Sequence, residues 1–346
     1  MRLIALTTYL LLFAQAVLAQ TLKQNIEKAY TRFEQDEQFK YGISSLTVIN
    51  AATGEVVFSK NGNVGLVPAS TLKTVTAATA LSVLGKDFTW TTTLGYSGKR
   101  SNQGELLGNL VITGGGDPTL GSSRYASTHK DIVLAKWVAA IRKAGIKSIK
   151  GCVLIDDRLF GTHNIPNGWL WEDIGNYYGA SSGAISWDEN QFKLIFKPAS
   201  IVGERATLVY SDPIMPYLKV VNEVRTGAIG SGDNVYAYSA PYSNVIYVRG
   251  TYAADLKKAI GVSMPDPAFE LAFRLQDTLT RLGITITQHA NTIRRLAADG
   301  STINLDSQVI IAKHQSPALA EVVREFNQKS NNLYGESLIK TLALKQ

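Results

Sequence analysis

Cysteine is almost absent from this chain: Cys152 is the only one in 346 residues. A single cysteine excludes an internal disulfide framework, so burial of apolar side chains has to hold the fold. Cys152 does not sit next to any N-terminal cleavage site, which argues against a lipid anchor on it. Histidine is scarce as well. His129, His163, His289 and His314 stand alone, without the spacing of a metal site, so no metal and no cofactor are expected. The net charge of +7 is spread along the chain with no dense Lys/Arg block. That excludes a nucleic-acid binder and leaves a mild attraction to anionic polymers of a cell envelope. Low-complexity tracts and internal repeats are missing too. Apolar runs of membrane length are lacking after the N-terminus. The one long run, Leu3 to Leu18, follows Arg2 and is interrupted by Thr7, Thr8, Tyr9 and Gln15. It is short for a span and ends in Val17-Leu18-Ala19, which reads as a signal peptide over residues 1–19 with Gln20 as the mature start. The expectation is a protein secreted across the inner membrane into the periplasm or envelope, with no stable membrane anchor.

The composition that is present, 45% hydrophobic and 18% charged, is that of a globular chain, and its length suits two or three domains. Two strand-like runs, Ile43 to Ile49 and Glu55 to Ser59, flank Asn50-Ala51-Ala52-Thr53-Gly54, a hairpin pattern. An Ala-rich helix is expected from Ser70 to Leu84, stopped by Gly85. Strands are expected at Leu106–Ile112, Val153–Ile155, Phe192–Phe196, Ala206–Tyr210 and Val235–Tyr238. Asp131–Ala144 reads as an amphipathic helix with Ile132, Val133, Trp137, Val138 and Ile141 on one face, and Pro267–Leu282 as another. Near the end, Ser316 as N-cap and Pro317 at the first helical position open a helix carrying Leu319, Val322, Val323 and Phe326. A break at Ser330-Asn331-Asn332 precedes a last helix. A strand pair and helix in front, helices behind and a β-rich stretch between describe a domain interrupted by an insertion.

Chemistry is concentrated in two short motifs. In Ser70-Thr71-Leu72-Lys73 the residues i and i+3 share a helix face, which brings the Lys73 amine towards the Ser70 hydroxyl. A serine hydroxyl is a weak nucleophile and needs a base in contact; an amine in a desolvated site can lose its proton and serve. The helix N-terminus favours negative charge developing at Ser70. Alone the motif is common, and a serine at a helix start is ordinarily a cap. The helix behind it, with Val75, Ala77, Ala78, Ala80, Leu81, Val83 and Leu84, reads as buried nearly all round, and a lysine at its mouth needs a partner or a function. Ser330-Asn331-Asn332 places a hydroxyl and an amide two residues apart in a loop, able to relay a proton and to hold an amide, though such residues also serve turns. Gly114-Gly115-Gly116-Asp117 lacks the Lys-Ser/Thr of a phosphate loop and reads as a tight turn.

S-x-x-K together with a Ser-x-Asn loop is the signature of serine β-lactamases and penicillin-binding proteins. The sequence resembles the D-Ala-D-Ala carboxypeptidase/endopeptidases of the penicillin-binding protein 4 type over the whole chain from about residue 40. The resemblance rests on Pro68-Ala69-Ser70-Thr71-Leu72-Lys73, Gly114 to Leu120, Ser231-Gly232-Asp233-Asn234 and Lys329 to Leu338. It implies an α+β fold: a β-lactamase/transpeptidase-like catalytic domain, an antiparallel sheet with helices, built from residues 20–95 and 295–346 and interrupted at 96–294 by one or two inserted β-rich domains. It implies peptidoglycan stem peptides as substrate and β-lactam antibiotics as inhibitors. Ser70 would be the nucleophile and Lys73 its base. Ser330 would pass a proton to the leaving D-Ala and Asn332 would hold the peptide amide. In Gly168 to Tyr178, Asp173 would meet a diaminopimelate amine, with Tyr178 beside it; a loop anchored by aromatics is the plainer reading of that stretch.

The resemblance departs in one place. The family's Lys/His-Thr-Gly motif follows the Ser-x-Asn loop, whereas here the chain ends at Gln346; Arg225-Thr226-Gly227 precedes Ser330 and is rejected as that motif. The sequence therefore looks C-terminally truncated, and near-inactivity on D-Ala-D-Ala peptides with poor solubility is expected. A non-catalytic envelope protein that binds peptidoglycan and a β-lactam hydrolase stand as alternatives.

Overall fold

A computed structural model describes residues 21–303, 305 and 307–345, so the signal-peptide reading of residues 1–19 lies outside the described residues. The chain divides into two units, residues 1–69 and 70–346. In the first, helix α1 (Leu22–Glu34) opens with a capping box, Thr21 and Gln24 each accepting from the other's backbone N–H. Strands β1 (Leu46–Ile49) and β2 (Val56–Lys60) form the expected antiparallel hairpin, with Val48 opposite Phe58. The Asn50 side chain accepts from the backbone N–H groups of Ala52 and Thr53, and this folds the turn. The Tyr30 ring meets Phe58 edge-on at 5.7 Å and ties the helix to the hairpin.

The second unit begins at Ser70. Its helix α2 spans Leu72–Leu84 and ends at Gly85, whose φ of 84° is a backbone that glycine adopts without cost. Then follow β3 (Thr91–Ser97), β4 (Lys99–Arg100), β5 (Glu105–Leu107), β6 (Leu110–Thr113), α3 (Lys130–Lys143), β7 (Ser148–Ile149), β8 (Val153–Asp156) and α4 (Trp171–Ile174). Strands β9 (Gln191–Lys197), β10 (Thr207–Asp212), β11 (Lys219–Asn222), β12 (Arg225–Gly227), β13 (Asp233–Tyr238), β14 (Val245–Ala253) and β15 (Ile260–Ser263) make the β-rich middle. The chain closes with α5 (Pro267–Arg281), β16 (Thr285–Ile286), β17 (Asn291–Thr292), α6 (Ile293–Ala298), β18 (Gln308–Gln315), α7 (Leu319–Lys329) and α8 (Asn332–Ala343).

A five-stranded sheet in the order β17-β8-β6-β3-β18 lies against α3 and α5. Leu94, Leu110, Ile112 and Ile155 from its strands bury with Trp137 and Ile141 of α3 and Leu271, Leu275 and Leu279 of α5. The expected strand Leu106–Ile112 is in fact two, β5 and β6, which belong to different sheets. The cause is the crossing of Gly98 and Gly108: a Cβ on Gly108 would stand 1.9 Å from the Ser97 carbonyl oxygen. On α3, Val133, Trp137, Val138 and Ile141 are buried as their spacing requires, but Ile132 faces solvent. The β-rich middle has its own core, in which Phe192, Leu194, Val235, Ile246, Val248 and Val262 join the sheets β10-β9-β15 and β11-β14-β12, with β13 paired to β14.

Helices α2, α7 and α8 share a third core: Ala77 and Ala80 from α2, Leu319, Val322 and Phe326 from α7, and Leu333, Tyr334 and Leu338 from α8. Trp90 locks this group, donating from its indole to Thr341 Oγ1 at 2.8 Å and from its backbone N–H to Ser316 Oγ at 3.0 Å. Two expectations are corrected here. Ser316 is engaged with Trp90, so α7 starts two residues later than the sequence suggests, with Ala318 at its N-cap. Helix α2 buries one face only, its small Ala77–Ala80 side, while Leu72, Val75 and Val83 are exposed. Small residues on the buried face allow close approach of α7 and α8, and that approach is what positions the site. Among the described residues no helix is long and apolar enough to cross a membrane.

Phe326 is fully buried at the centre of this three-helix core. Phe326→Ala is expected to destabilise the 70–346 unit by about 3–5 kcal/mol in urea unfolding; a loss under about 1 kcal/mol would show that the core does not depend on it.

Candidate active site

Ser70 lies in a short 3-10 turn at the mouth of α2, preceded by Ala69 in a left-handed backbone with φ of 46°. The N-cap of α2 is Thr71, so the ordinary role of a serine at a helix start, capping, does not fall to Ser70. Its Oγ instead accepts from Lys73 Nζ at 3.0 Å. The contact follows from the helical rise between positions i and i+3. Partial burial of the amine holds the Lys73 pKa below the ordinary lysine value, while the negative charge of Glu336 pulls it back up. A neutral Lys73 would accept the hydroxyl proton along the same line on which the ammonium now donates.

On the facing side, α7 ends at Ser330, which takes a left-handed backbone of φ 54° and ψ 39°, an uncommon conformation for a residue with a side chain. Asn331 caps α8, its side chain accepting from Tyr334 N at 3.3 Å. Asn332 donates from Nδ2 to the backbone carbonyl of Tyr178 at 2.8 Å. The packing of α2 on α8 brings the Ser70–Lys73 pair and the Ser330–Asn332 loop onto adjoining helices. Among the described residues no hydrogen bond joins Ser330 or Asn332 directly to Ser70 or Lys73.

Asp173 sits in α4 and Tyr178 in the turn that follows it. Burial, and then the nearby Asp173 carboxylate, pushes the Tyr178 hydroxyl up to about 12, so it stays protonated. Tyr177 meets the Tyr178 ring edge-on at 5.2 Å. The Asp173 carboxylate thus acts on the Tyr178 hydroxyl, and the Tyr178 backbone holds Asn332.

Glu336 and Lys340 escaped the sequence reading. Asn332, Glu336 and Lys340 are spaced by four on α8 and share one face, which is the signal that could have found them. Lys340 donates to the carbonyls of His163 and Ser182 at 2.9 Å each, and burial lowers its pKa against the pull of Glu336. Burial raises the Glu336 pKa, and Lys340 and Lys73 oppose that rise. The charge of one carboxylate therefore acts on two amines, one of them the amine on the serine.

A serine hydroxyl held by a lysine amine at a helix mouth, with a Ser-x-Asn loop on the adjoining helix, is the constellation of residues on which the resemblance to serine acyl-transfer proteins rests. The chain belongs to the D-Ala-D-Ala carboxypeptidase 3 (S13) family, whose sequence profile matches residues 22–346. It is 27% identical over 315 residues to the D-alanyl-D-alanine carboxypeptidase of Actinomadura sp. (strain R39), covering 89% of this chain and 55% of that protein. With the D-alanyl-D-alanine carboxypeptidase DacB of Haemophilus influenzae it shares 26% identity over 300 residues, 85% of this chain and 57% of the relative. The chain thus spans about half the length of the curated relatives it matches. The fold is similar to that of penicillin binding protein 4 (dacB) from Haemophilus influenzae, with a TM-score of 0.68 at 24% identity over 86% of this chain and 62% of that one.

Glu336→Gln removes the negative charge that favours the Lys73 ammonium, so the Lys73 pKa should fall further. If Ser70 reacts with an acylating probe through the neutral amine, the rising limb of rate against pH should move to lower pH in the variant. A limb that stays in place or moves to higher pH would show that Glu336 does not act on Lys73.

Proposed function

We propose that the chain carries the acylation machinery of a serine-type D-Ala-D-Ala carboxypeptidase or endopeptidase acting on peptidoglycan stem peptides. The observation that carries this is the 3.0 Å contact between Lys73 Nζ and Ser70 Oγ at the mouth of α2. Ser70 Oγ attacks the carbonyl of the penultimate D-Ala while Lys73 takes its proton. The C–N bond to the terminal residue breaks, Ser330 passes a proton to the leaving amine, and water hydrolyses the ester. The backbone N–H of Ser70 supplies one donor to the oxyanion. Asn332 holds the substrate amide, and its Nδ2 exchanges the Tyr178 carbonyl for that ligand or shares itself between them. Asp173 and Tyr178 receive the cationic end of the stem peptide; the Asn332–Tyr178 contact, which ties this stretch to the Ser-x-Asn loop, supports that reading.

The catalytic part is proposed to comprise residues 20–95 and 295–346, with 96–294 inserted. The shared core of α2, α7 and α8 and the separate core of the β-rich middle support this division, although a seam at residue 95 falls within β3. Secretion into the periplasm rests on the composition of residues 1–19. β-Lactams are proposed as inhibitors, because their strained amide mimics the D-Ala-D-Ala bond and leaves an ester that hydrolyses slowly.

Intact-mass analysis after exposure to penicillin should show one adduct on the wild-type chain and none on Ser70→Ala; equal labelling of both removes Ser70 from the mechanism. Lys73→Arg keeps the charge but cannot present a neutral amine. Its acylation rate is expected to fall by about a hundredfold or more, with little change in folding. Near-normal acylation would reduce Lys73 to an electrostatic neighbour.

A further inference from the structure

Glu189 belongs to none of the motifs described above. It is the middle residue of the turn Asp188-Glu189-Asn190, in which all three residues are left-handed, with φ of 51°, 55° and 55°. Consecutive left-handed residues with side chains are unfavourable, so the surroundings must impose them. Here Lys130 donates to Asp188 at 2.8 Å on one side. On the other, Asn190 accepts from Trp187 N at 2.8 Å and donates to Ser181 O at 2.6 Å. The turn drives the Glu189 side chain inward until the residue is only 8% exposed.

There the carboxylate gathers four donors from two distant parts of the chain. Oε1 accepts from Ser122 Oγ at 2.8 Å, Arg124 Nε at 2.7 Å and Tyr334 Oη at 2.8 Å. Oε2 accepts a long bond from Asn331 Nδ2 at 3.5 Å. A carboxylate can only accept, so it dictates the direction of each partner. Asn331 has to turn its Nδ2 towards Glu189, which leaves Oδ1 for the Tyr334 N–H and makes the cap of α8. Arg124 has a second carboxylate, Glu325, at 3.7 Å. Neutralising Arg124 therefore does not by itself account for Glu189.

We propose that Glu189 is a positioning residue for the Ser-x-Asn loop: by clamping Asn331 and Tyr334 it fixes the directions in which Ser330 and Asn332 face the reacting groups. The proposal rests on the roles assigned above to Ser330 and Asn332. It makes the left-handed turn part of the catalytic apparatus, because only that backbone delivers a carboxylate from the inserted stretch to the start of α8.

Glu189→Gln tests it with nearly the same shape. Whichever way the new amide turns, its NH2 faces a donor, Asn331 on one side or Arg124 and Ser122 on the other. Amide hydrogen exchange over residues 330–335 is expected to quicken by about tenfold, the equivalent of a lost cap, with the Trp137–Ile141 core unchanged. In single-turnover labelling with fluorescent penicillin the maximal acylation rate should fall by about tenfold to a hundredfold, while the concentration for half-saturation changes little. Combining Glu189→Gln with Asn331→Ala should cost hardly more than Asn331→Ala alone.

Unchanged exchange, or effects that simply add in the double variant, would overturn the proposal. If the wild-type chain takes no label, the acyl-enzyme reading of Ser70 fails instead, and the exchange result still decides for or against the clamp. If Glu189→Gln does not fold, Asn331→Ala leaves the other three bonds in place and must itself show the local exchange and the acylation loss. Normal behaviour there would equally overturn the clamp.

Discussion

The site depends on the close packing of α2 against α7 and α8. Ala77 and Ala80 present almost no side chain on the contacting face of α2, and Phe326, Leu333, Tyr334 and Leu338 fill the space that this leaves. Larger residues at the two alanines would push the helices apart and separate Lys73 from Glu336. The residues of the two motifs are attached to the ends of these helices: Ser70 and Lys73 at the start of α2, Ser330 at the end of α7, and Asn332, with Glu336, at the start of α8. Trp90 fixes the arrangement from outside by bonding to Ser316 before α7 and to Thr341 in α8.

On this frame the electrostatics are a balance of opposed terms. Burial of the Lys73 amine favours its neutral form, which can accept a proton, and Glu336 favours the ammonium. A base requires the neutral amine, so burial and Glu336 push the site in opposite directions. Glu336 is in turn divided between Lys73 and Lys340, and Lys340 reaches the carbonyls of His163 and Ser182. The electrostatic influence thus runs from the amine on the serine, through Glu336, to Lys340 and the carbonyls it holds in the stretch between the two motifs. Asn332, through the Tyr178 carbonyl, makes a second such link.

Much of this was legible in the sequence because it is local. The Ser70–Lys73 contact follows from helical spacing, and the Val322, Val323 and Phe326 stripe from periodicity. The Asp117 turn was expected too, with Asp117 Oδ1 accepting from Thr119 N at 2.8 Å. What was not legible depends on partners distant in the chain. The apolar all-round composition of α2 suggested full burial, but composition does not say how many neighbours a helix has, and Val75 and Val83 are exposed. Ser316 looked like a cap because serine before Pro317 usually is one; its hydroxyl went to Trp90, more than two hundred residues earlier. Leu106–Ile112 looked like one strand because the close crossing at Gly98 and Gly108 has no periodic signature. Glu189 carries no motif at all, and its role emerges only once Asn331 and Tyr334 are seen around it.

The central claim is that the fold holds the Lys73 amine on the Ser70 hydroxyl in a setting that favours its neutral form. An NMR titration of the Lys73 side chain, with Lys73→Arg used to assign the signal, measures this without reference to any substrate. The account predicts a midpoint below the ordinary lysine value of 10.5, moving lower still in Glu336→Gln. A midpoint at or above that value, unmoved by Glu336→Gln, would contradict it.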